Sequence, residues 1–466
     1  MCHARRHCDV DNVTNEGYFC HEFTLEARAE ITDRVCTSMA DIRSASLESG
    51  DIAVFDNKER ARHLPFFTEL ASLDDGDAGW RSVSAGLVVL RLVDAWIEEG
   101  AAAVSADGWG VRSVEAAIEE MPAGQPARAV LASVVEVLRT SSTGDMHAIA
   151  PRLMAYGRAL NYDAKWALAA DVYQTVISHV HPVEESDVAI AAHLWLAHCQ
   201  RNMGWLDDAA TSYEAASTIA TDVDDMFGIL RAQIGAAKIA TARGNMPSAE
   251  RLLDDTIARA SRHEHLVDVH ALALQDRANL AFHRARYDLA IELAYASLEL
   301  TTDPINRDRL LSSVASSFYM LGVHSAAKDA WVILEATAQD QYNRWYASIN
   351  LMEMAAREGS MPLFERYRRS LVTMSLPPEL EAQFYLQTAE SYEALSQFEQ
   401  ATSAAARARL VAGQYGFNRV AFAADAVVER ARSGKPSAPL APDAPVPAAL
   451  QGIAAQINAK RRAVPT

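Results

Sequence analysis

The chain has 466 residues, half of them apolar, with a net charge of −18 and a pI near 5.2. That acidic balance weighs against general nucleic-acid binding, because it repels phosphate backbones. No apolar run reaches the length of a bilayer span, since the best, Ala85 to Ile97, is broken by Arg91 and Asp94, and the reading is a cytoplasmic chain without a membrane partner.

The first 38 residues differ from the rest. They are polar, lack helical periodicity and hold four of the five cysteines, Cys2, Cys8, Cys20 and Cys36. They read as a disordered extension or as sequence absent from the native product. No apolar stretch follows the opening charges, so the segment is not a secretory signal. Cys2, His3, His7, Cys8, Cys20 and His21 are zinc-ligand types, but no CxxC pair occurs, so no metal site is assigned.

Residues 39–145 read as an N-terminal helical cap. Helical spacing of apolar residues runs from Trp80 to Glu99 and stops at Gly100. Two further helices are predicted over Val111–Met121 and Pro126–Leu138, separated by Gly124 and closed by Ser141 to Gly144. Gly108-Trp109-Gly110 is a turn rather than a phosphate loop, because no third glycine and no strand accompany it.

Residues 146–432 carry a repeat. Ala169, Ala209, Ala249, Ala290, Ala327 and Ala401 are spaced by 40, 40, 41, 37 and 74 residues; the last interval is twice 37 and its midpoint is Phe364. Such a period marks a stacked array. Each unit reads as helix, short turn, helix, with Gly204, Gly244, Gly322 and Gly359 five residues before the marker. Glycine there supplies the left-handed backbone that ends a helix. The small marker lets two helices cross closely. The residue four later (Tyr173, Tyr213, Leu253, Trp331 or Ala405) fills the core between repeats. Residues 433–446 form a Pro/Ala/Ser linker, extended and mobile. Within 447–466, Leu450, Ile453, Ala454 and Ile457 make an apolar stripe ahead of Lys460, Arg461 and Arg462, the pattern of a short docking helix or of a frayed tail.

The pairs Tyr156-Gly157 with Leu160, and Leu196-Ala197 with Ala209 and Tyr213, resemble the tetratricopeptide repeat family. So do Val314-Ala315, Phe318, Ala327 and Trp331, and Ala389, Tyr392 and Ala401. Two units depart from the pattern: Arg277 fills a large apolar slot in the fourth, and Phe364 replaces the small marker in the sixth. The family usually repeats every ~34 residues, so longer helices or linkers are expected here. The resemblance implies an all-α, right-handed superhelical solenoid of about seven helix-turn-helix repeats behind the N-terminal cap.

It also implies that the first helices line a concave groove. Carried over by register, the groove residues are Arg158 and Asn161; His198, Arg201 and Asn202; Lys238; and Asn279 and His283. Arg309 extends this set from the fifth unit, and Glu353, Arg357, Glu390 and Glu393 give the sixth and seventh a mixed charge. Amides can bond an extended peptide backbone, and Arg or Lys can pair a carboxylate. The same residues also read as ordinary solvated helix faces.

No catalytic set is found: there is no GKS/GKT, no G-x-S-x-G and no HExxH, and His263-Glu264-His265 with Asp268 and His270 reads as an inter-repeat loop. No cofactor is implied. Cys199 reads as a small buried hydrophobe. The expected function is a non-catalytic scaffold or adaptor that binds a peptide segment of an acidic protein partner, with self-association through exposed array ends possible in principle. The alternatives are a regulatory sensor whose C-terminal helix occupies the groove as a self-ligand and, disfavoured, an enzyme.

Overall fold

The computed structural model describes residues 62–74, 77–100, 109–140, 146–434 and 440–464. The expectations for the first 38 residues and their Cys/His group, for Gly108 and for Ser141 to Gly144 lie outside those residues. Among the described residues there are 20 helices and no strand. They fall into two compact units, one up to Leu252 and one from Leu253 onward.

The first unit opens with four cap helices: α1 (Leu64–Ser72), α2 (Ala78–Glu99), α3 (Trp109–Glu119) and α4 (Pro126–Thr140). Hairpins follow: α5 (Ala150–Tyr162) with α6 (Trp166–His179), α7 (Ser186–Asn202) with α8 (Leu206–Asp222), and α9 (Met226–Ala242) with α10 (Met246–Ala260), within which the boundary falls. The second unit continues with α11 (Val267–His283) and α12 (Tyr287–Leu300), α13 (Pro304–Met320) and α14 (His324–Thr337), α15 (Gln341–Arg357) and α16 (Met361–Val372), and α17 (Pro378–Ala394) and α18 (Phe398–Tyr415). It ends with α19 (Asn418–Arg432) and α20 (Gln451–Ala463). The fold is thus all-α and tetratricopeptide-like, a series of helical hairpins in which, within each unit, helices pack mostly on their chain neighbours.

The long repeat period has a simple source. First helices α7, α9, α11, α13, α15 and α17 are each 17 residues long. Their amino-terminal halves mix small, polar and apolar residues, so an apolar pattern alone does not mark where they begin.

The seven hairpin turns share one geometry. Five residues before each marker the chain takes a left-handed conformation, at Ala164, Gly204, Gly244, Ala285, Gly322, Gly359 and Ser396. The next residue's N–H then donates back across the turn, as in Trp205 N to Gln200 O at 2.8 Å and Gln397 N to Tyr392 O at 2.7 Å. Glycine is therefore not required by space, since nothing lies within 4 Å of a Cβ at Gly204 or Gly244; it relieves backbone strain. Replacing Ala285 or Ser396 by Gly should raise stability by about 0.5–1 kcal/mol, and Gly204→Ala should lower it by a similar amount. Urea unfolding midpoints check both signs.

The marker alanines are at most 1% exposed. Both departures from the pattern are accommodated. Phe364 is fully buried and packs edge-on to Tyr392 with ring centroids 5.0 Å apart. Arg277 keeps its buried slot by donating from Nε to Asp254 Oδ1 at 2.9 Å.

A buried ion cluster fastens the cap to the first hairpin. His63, just before α1, lies 2.7 Å (Nδ1) from Asp171 of α6 and 3.2 Å (Nε2) from Asp94 of α2. His179, at the end of α6, reaches Asp94 at 3.5 Å. Arg62 also pairs with Asp94 and Glu98. Asp94, one of the two charged residues that interrupt the apolar run of α2, is thus the anchor of this cluster.

The C-terminal segment is seated within the second unit. Residues 440–447 are extended as expected, but they are tied down: Ala444 N donates to Gly322 O at 2.9 Å, and Ser325 N donates to the Asp443 carboxylate at 3.3 Å. Leu450 and Ile457 are buried in the core cluster of this unit, with Ile453 and Ala454 packed beside them. Tyr295 Oη donates to Gln456 Oε1 at 2.6 Å, and Asn458 Nδ2 to Asp329 Oδ2 at 2.7 Å. Tyr295 and Asp329 belong to α12 and α14, which are second helices. The expected self-ligand in the first-helix groove is therefore corrected: α20 lies on second helices, where its stripe meets an apolar surface.

Candidate functional site

In the first unit, α5, α7 and α9 are first helices of consecutive hairpins, and their side chains build one half-buried polar cluster. Its wall is aromatic. Tyr173 of α6 presses on Gly157, where a Cβ would lie 2.5 Å from the ring, so only glycine fits. On its other side Tyr173 stacks on Trp195 of α7, with centroids 6.2 Å apart and planes 20° apart. Trp195 in turn meets His198 edge-on at 5.6 Å. The α7 register then places His198, Arg201 and Asn202 on adjoining turns.

Asn202 Nδ2 lies 3.0 Å from His198 Nε2. Burial, and then the charges of Arg201, Lys238 and Arg231, push the His198 pKa down to about 3. The ring is neutral at physiological pH and can accept the Asn202 amide hydrogen. Three cationic side chains, Arg201 of α7 and Arg231 and Lys238 of α9, are near enough for their charges to act on this ring. Arg158 of α5 is exposed, and its charge acts on the Tyr173 hydroxyl. Asn161 Oδ1 accepts from the Cys199 thiol at 3.8 Å. Cys199 itself is buried, and burial pushes its pKa up to about 12, so it is an inert thiol rather than a nucleophile.

Three buried polar atoms here have no hydrogen-bond partner: Arg201 Nε, Asn202 Oδ1 and the Tyr173 hydroxyl. Buried polar groups are normally satisfied, and a buried guanidinium N–H without an acceptor is costly. The arrangement offers cations and amide groups beside a flat indole, which suits a carboxylate and an extended backbone.

The structure thus brings together Arg158, Asn161, His198, Arg201, Asn202 and Lys238. Asn279 and His283 belong to the second unit, half-buried on α11. Arg231 and Trp195 were missed by the sequence reading. Arg231 lies seven residues before Lys238, two helical turns away on the same face, and that spacing was the available signal. In the second unit the residues of mixed charge serve each other. Glu353 accepts from Tyr319 Oη at 3.0 Å and from Arg357 Nε at 2.8 Å. Arg430 holds both Glu393 oxygens, at 2.8 and 2.9 Å. Burial, then the Glu353 charge, raises Glu390 to about 7, against the pull of Arg357 and Arg430.

His263, Glu264 and His265 are exposed in the loop before α11. Among the described residues no group of three or more His, Cys, Asp or Glu side chains is placed to hold a metal ion, and no helix is long and apolar enough to cross a membrane.

No family model matches the chain. No curated protein is significantly similar to it. Among solved structures, the Rap conjugation gene regulator of plasmid pLS20, in complex with the Phr* peptide, is 11% identical over 73% of this chain and 97% of its own, with a TM-score of 0.45. NprR in complex with its cognate peptide NprX is 12% identical over 83% of this chain and 94% of its own, with a TM-score of 0.41. A tetratricopeptide repeat protein from Parabacteroides merdae is 14% identical over 75% of this chain and 99% of its own, with a TM-score of 0.32.

Proposed function

We propose that the chain is a non-catalytic scaffold or adaptor that binds a peptide segment of an acidic protein partner on the first-helix face of its first unit. The observation that carries this reading is Arg201, whose buried Nε lacks a partner, beside a His198 on which the charges of Lys238 and Arg231 also act. A carboxylate of the partner supplies the missing acceptor. Asn161 and Asn202 bond the backbone on either side, and Trp195 gives a flat surface for an apolar side chain. Asn279, His283 and Arg309 extend the same kind of face within the second unit. The affinity comes from several modest contacts on a surface that is already formed.

The test is a random peptide library panned against the wild-type chain. Acidic peptides should be enriched. A hydrogen bond to a charged group contributes about 1.5–3 kcal/mol, so Arg201→Glu with Lys238→Glu should weaken the selected peptides at least ~30-fold. Enrichment of neutral or basic peptides, or unchanged binding by the double variant, would remove the proposal. The autoinhibited-sensor alternative loses its geometric basis, because α20 is seated on second helices α12 and α14.

A further inference from the structure

A cavity of about 680 Å³ lies in the first unit, away from the cluster above. Its walls are α8 and the first turns of α10, and its floor is α9. The floor residues Ile229, Ala232, Ala236, Ala240 and Arg243 recur at helical spacing. A stripe of that span is about 21 Å long at 1.5 Å per residue. Three of the five are alanine, so the floor carries little side-chain bulk. Glu214, exposed on α8, stands on its rim.

The second unit holds a helix on the corresponding pair of second helices. The pair α12 and α14 are consecutive second helices, as α8 and α10 are, and α20 is seated on them. It does so through Ile453 and Ile457, with Leu450 of the helical turn just before it continuing an i, i+3, i+7 spacing, and the helix is 13 residues long, about 20 Å. Its Lys460 ammonium lies 6.0 Å over the Tyr295 ring. Tyr295 falls five residues after marker Ala290, and Glu214 falls five after marker Ala209. Where the occupied surface offers an aromatic face to a cation, the open trough offers a carboxylate.

We infer that the trough between α8 and α10 is a docking site for an amphipathic helix of a partner protein, with an aliphatic i, i+3, i+7 stripe and a basic side chain over Glu214. Length, spacing and charge all follow from the helix already seated in the second unit, with the charge preference strengthened by the carboxylate. The site is separate from the first-helix cluster and does not depend on it.

A labelled peptide of residues 447–466 is the probe, titrated with the full chain by fluorescence anisotropy. In the full chain α20 keeps its own seat, so binding of added peptide reports on the trough. Saturable one-to-one binding is expected, weakened about tenfold or more by Ala236→Trp, which fills the floor, and by Glu214→Lys, which changes only an exposed charge. The peptide carrying Ile457→Asp should not bind, and the Arg201→Glu, Lys238→Glu chain should bind the unaltered peptide as wild type does. Absence of binding, or binding indifferent to both trough variants, overturns the inference. Self-association of the full chain that is lost in Glu214→Lys also overturns it, because the occupant is then a second copy.

Discussion

Replacing His63 by Ala should cost about 3–5 kcal/mol of stability, the range for breaking a buried ion pair by removing one partner. His63 is 5% exposed and stands between Asp171 and Asp94. Its removal leaves two carboxylates in a largely dry pocket, with only His179 and Arg62 near Asp94. Burial alone would lower the His63 pKa; hydrogen bonds to Asp171 and Asp94, and then their charges, outweigh it and raise the value from 6.5 to about 9. A raised histidine pKa stabilises the fold fully below pH 6.5, and that contribution is lost as pH rises through about 9. Asp94 shifts the other way: burial opposes ionisation, but His179, His63 and Arg62 hold its pKa below the ordinary value, so its share is lost on acidification. Urea unfolding of the wild type should therefore weaken between pH 7 and pH 9.5, and His63→Gln should flatten that slope. A wild-type stability that is level across this alkaline window would show that the histidine is not charged in the folded state.

The second large effect is expected at Gly235 of α9. A Cβ there would lie 2.2 Å from the Tyr213 ring, and Tyr213 is itself buried. Gly235→Val should destabilise by about 3 kcal/mol, at the upper end of typical overpacking costs. Gly235→Ala separates two terms, because alanine gains about 1 kcal/mol of helix propensity over glycine while colliding with the ring. A net loss in Gly235→Ala, recovered when Tyr213→Leu is added, is the signature of contact between these two positions. A double-mutant cycle measures it. Additive effects would mean that the ring has another resting place.

The hairpin architecture was legible because close helix crossings demand small residues at fixed intervals, and the alanines record that demand directly. The turns were only half legible. Glycine marks four of them, but Ala164, Ala285 and Ser396 take the same left-handed backbone without a distinctive residue. Two compensations were invisible in one dimension: Arg277 needs Asp254, and Phe364 needs Tyr392. The first helix of the cap, α1, has too short an apolar pattern to stand out. His63 is a lone histidine in sequence and becomes a keystone only when α2 and α6 bring their aspartates to it. The groove register for Arg158, Asn161, His198, Arg201, Asn202 and Lys238 came from helical phase, which assigns residues to a helix face without saying what that face binds. The apolar stripe of α20 was equally plain, but its seat was not, because a stripe states that a face will be covered without naming the surface that covers it.

The central claim is that a partner segment lies along first helices α5, α7 and α9, over Arg201. Photo-crosslinking tests it most directly. A benzophenone amino acid is placed singly at Arg158, an exposed first-helix position, and at Ser178, an exposed position on second helix α6. Each full-length variant is irradiated with the tightest acidic peptide from the library. Crosslinking from position 158, suppressed by Arg201→Glu with Lys238→Glu, and none from position 178 is the predicted result. Crosslinking from position 178 alone, or equally from both, would contradict the account.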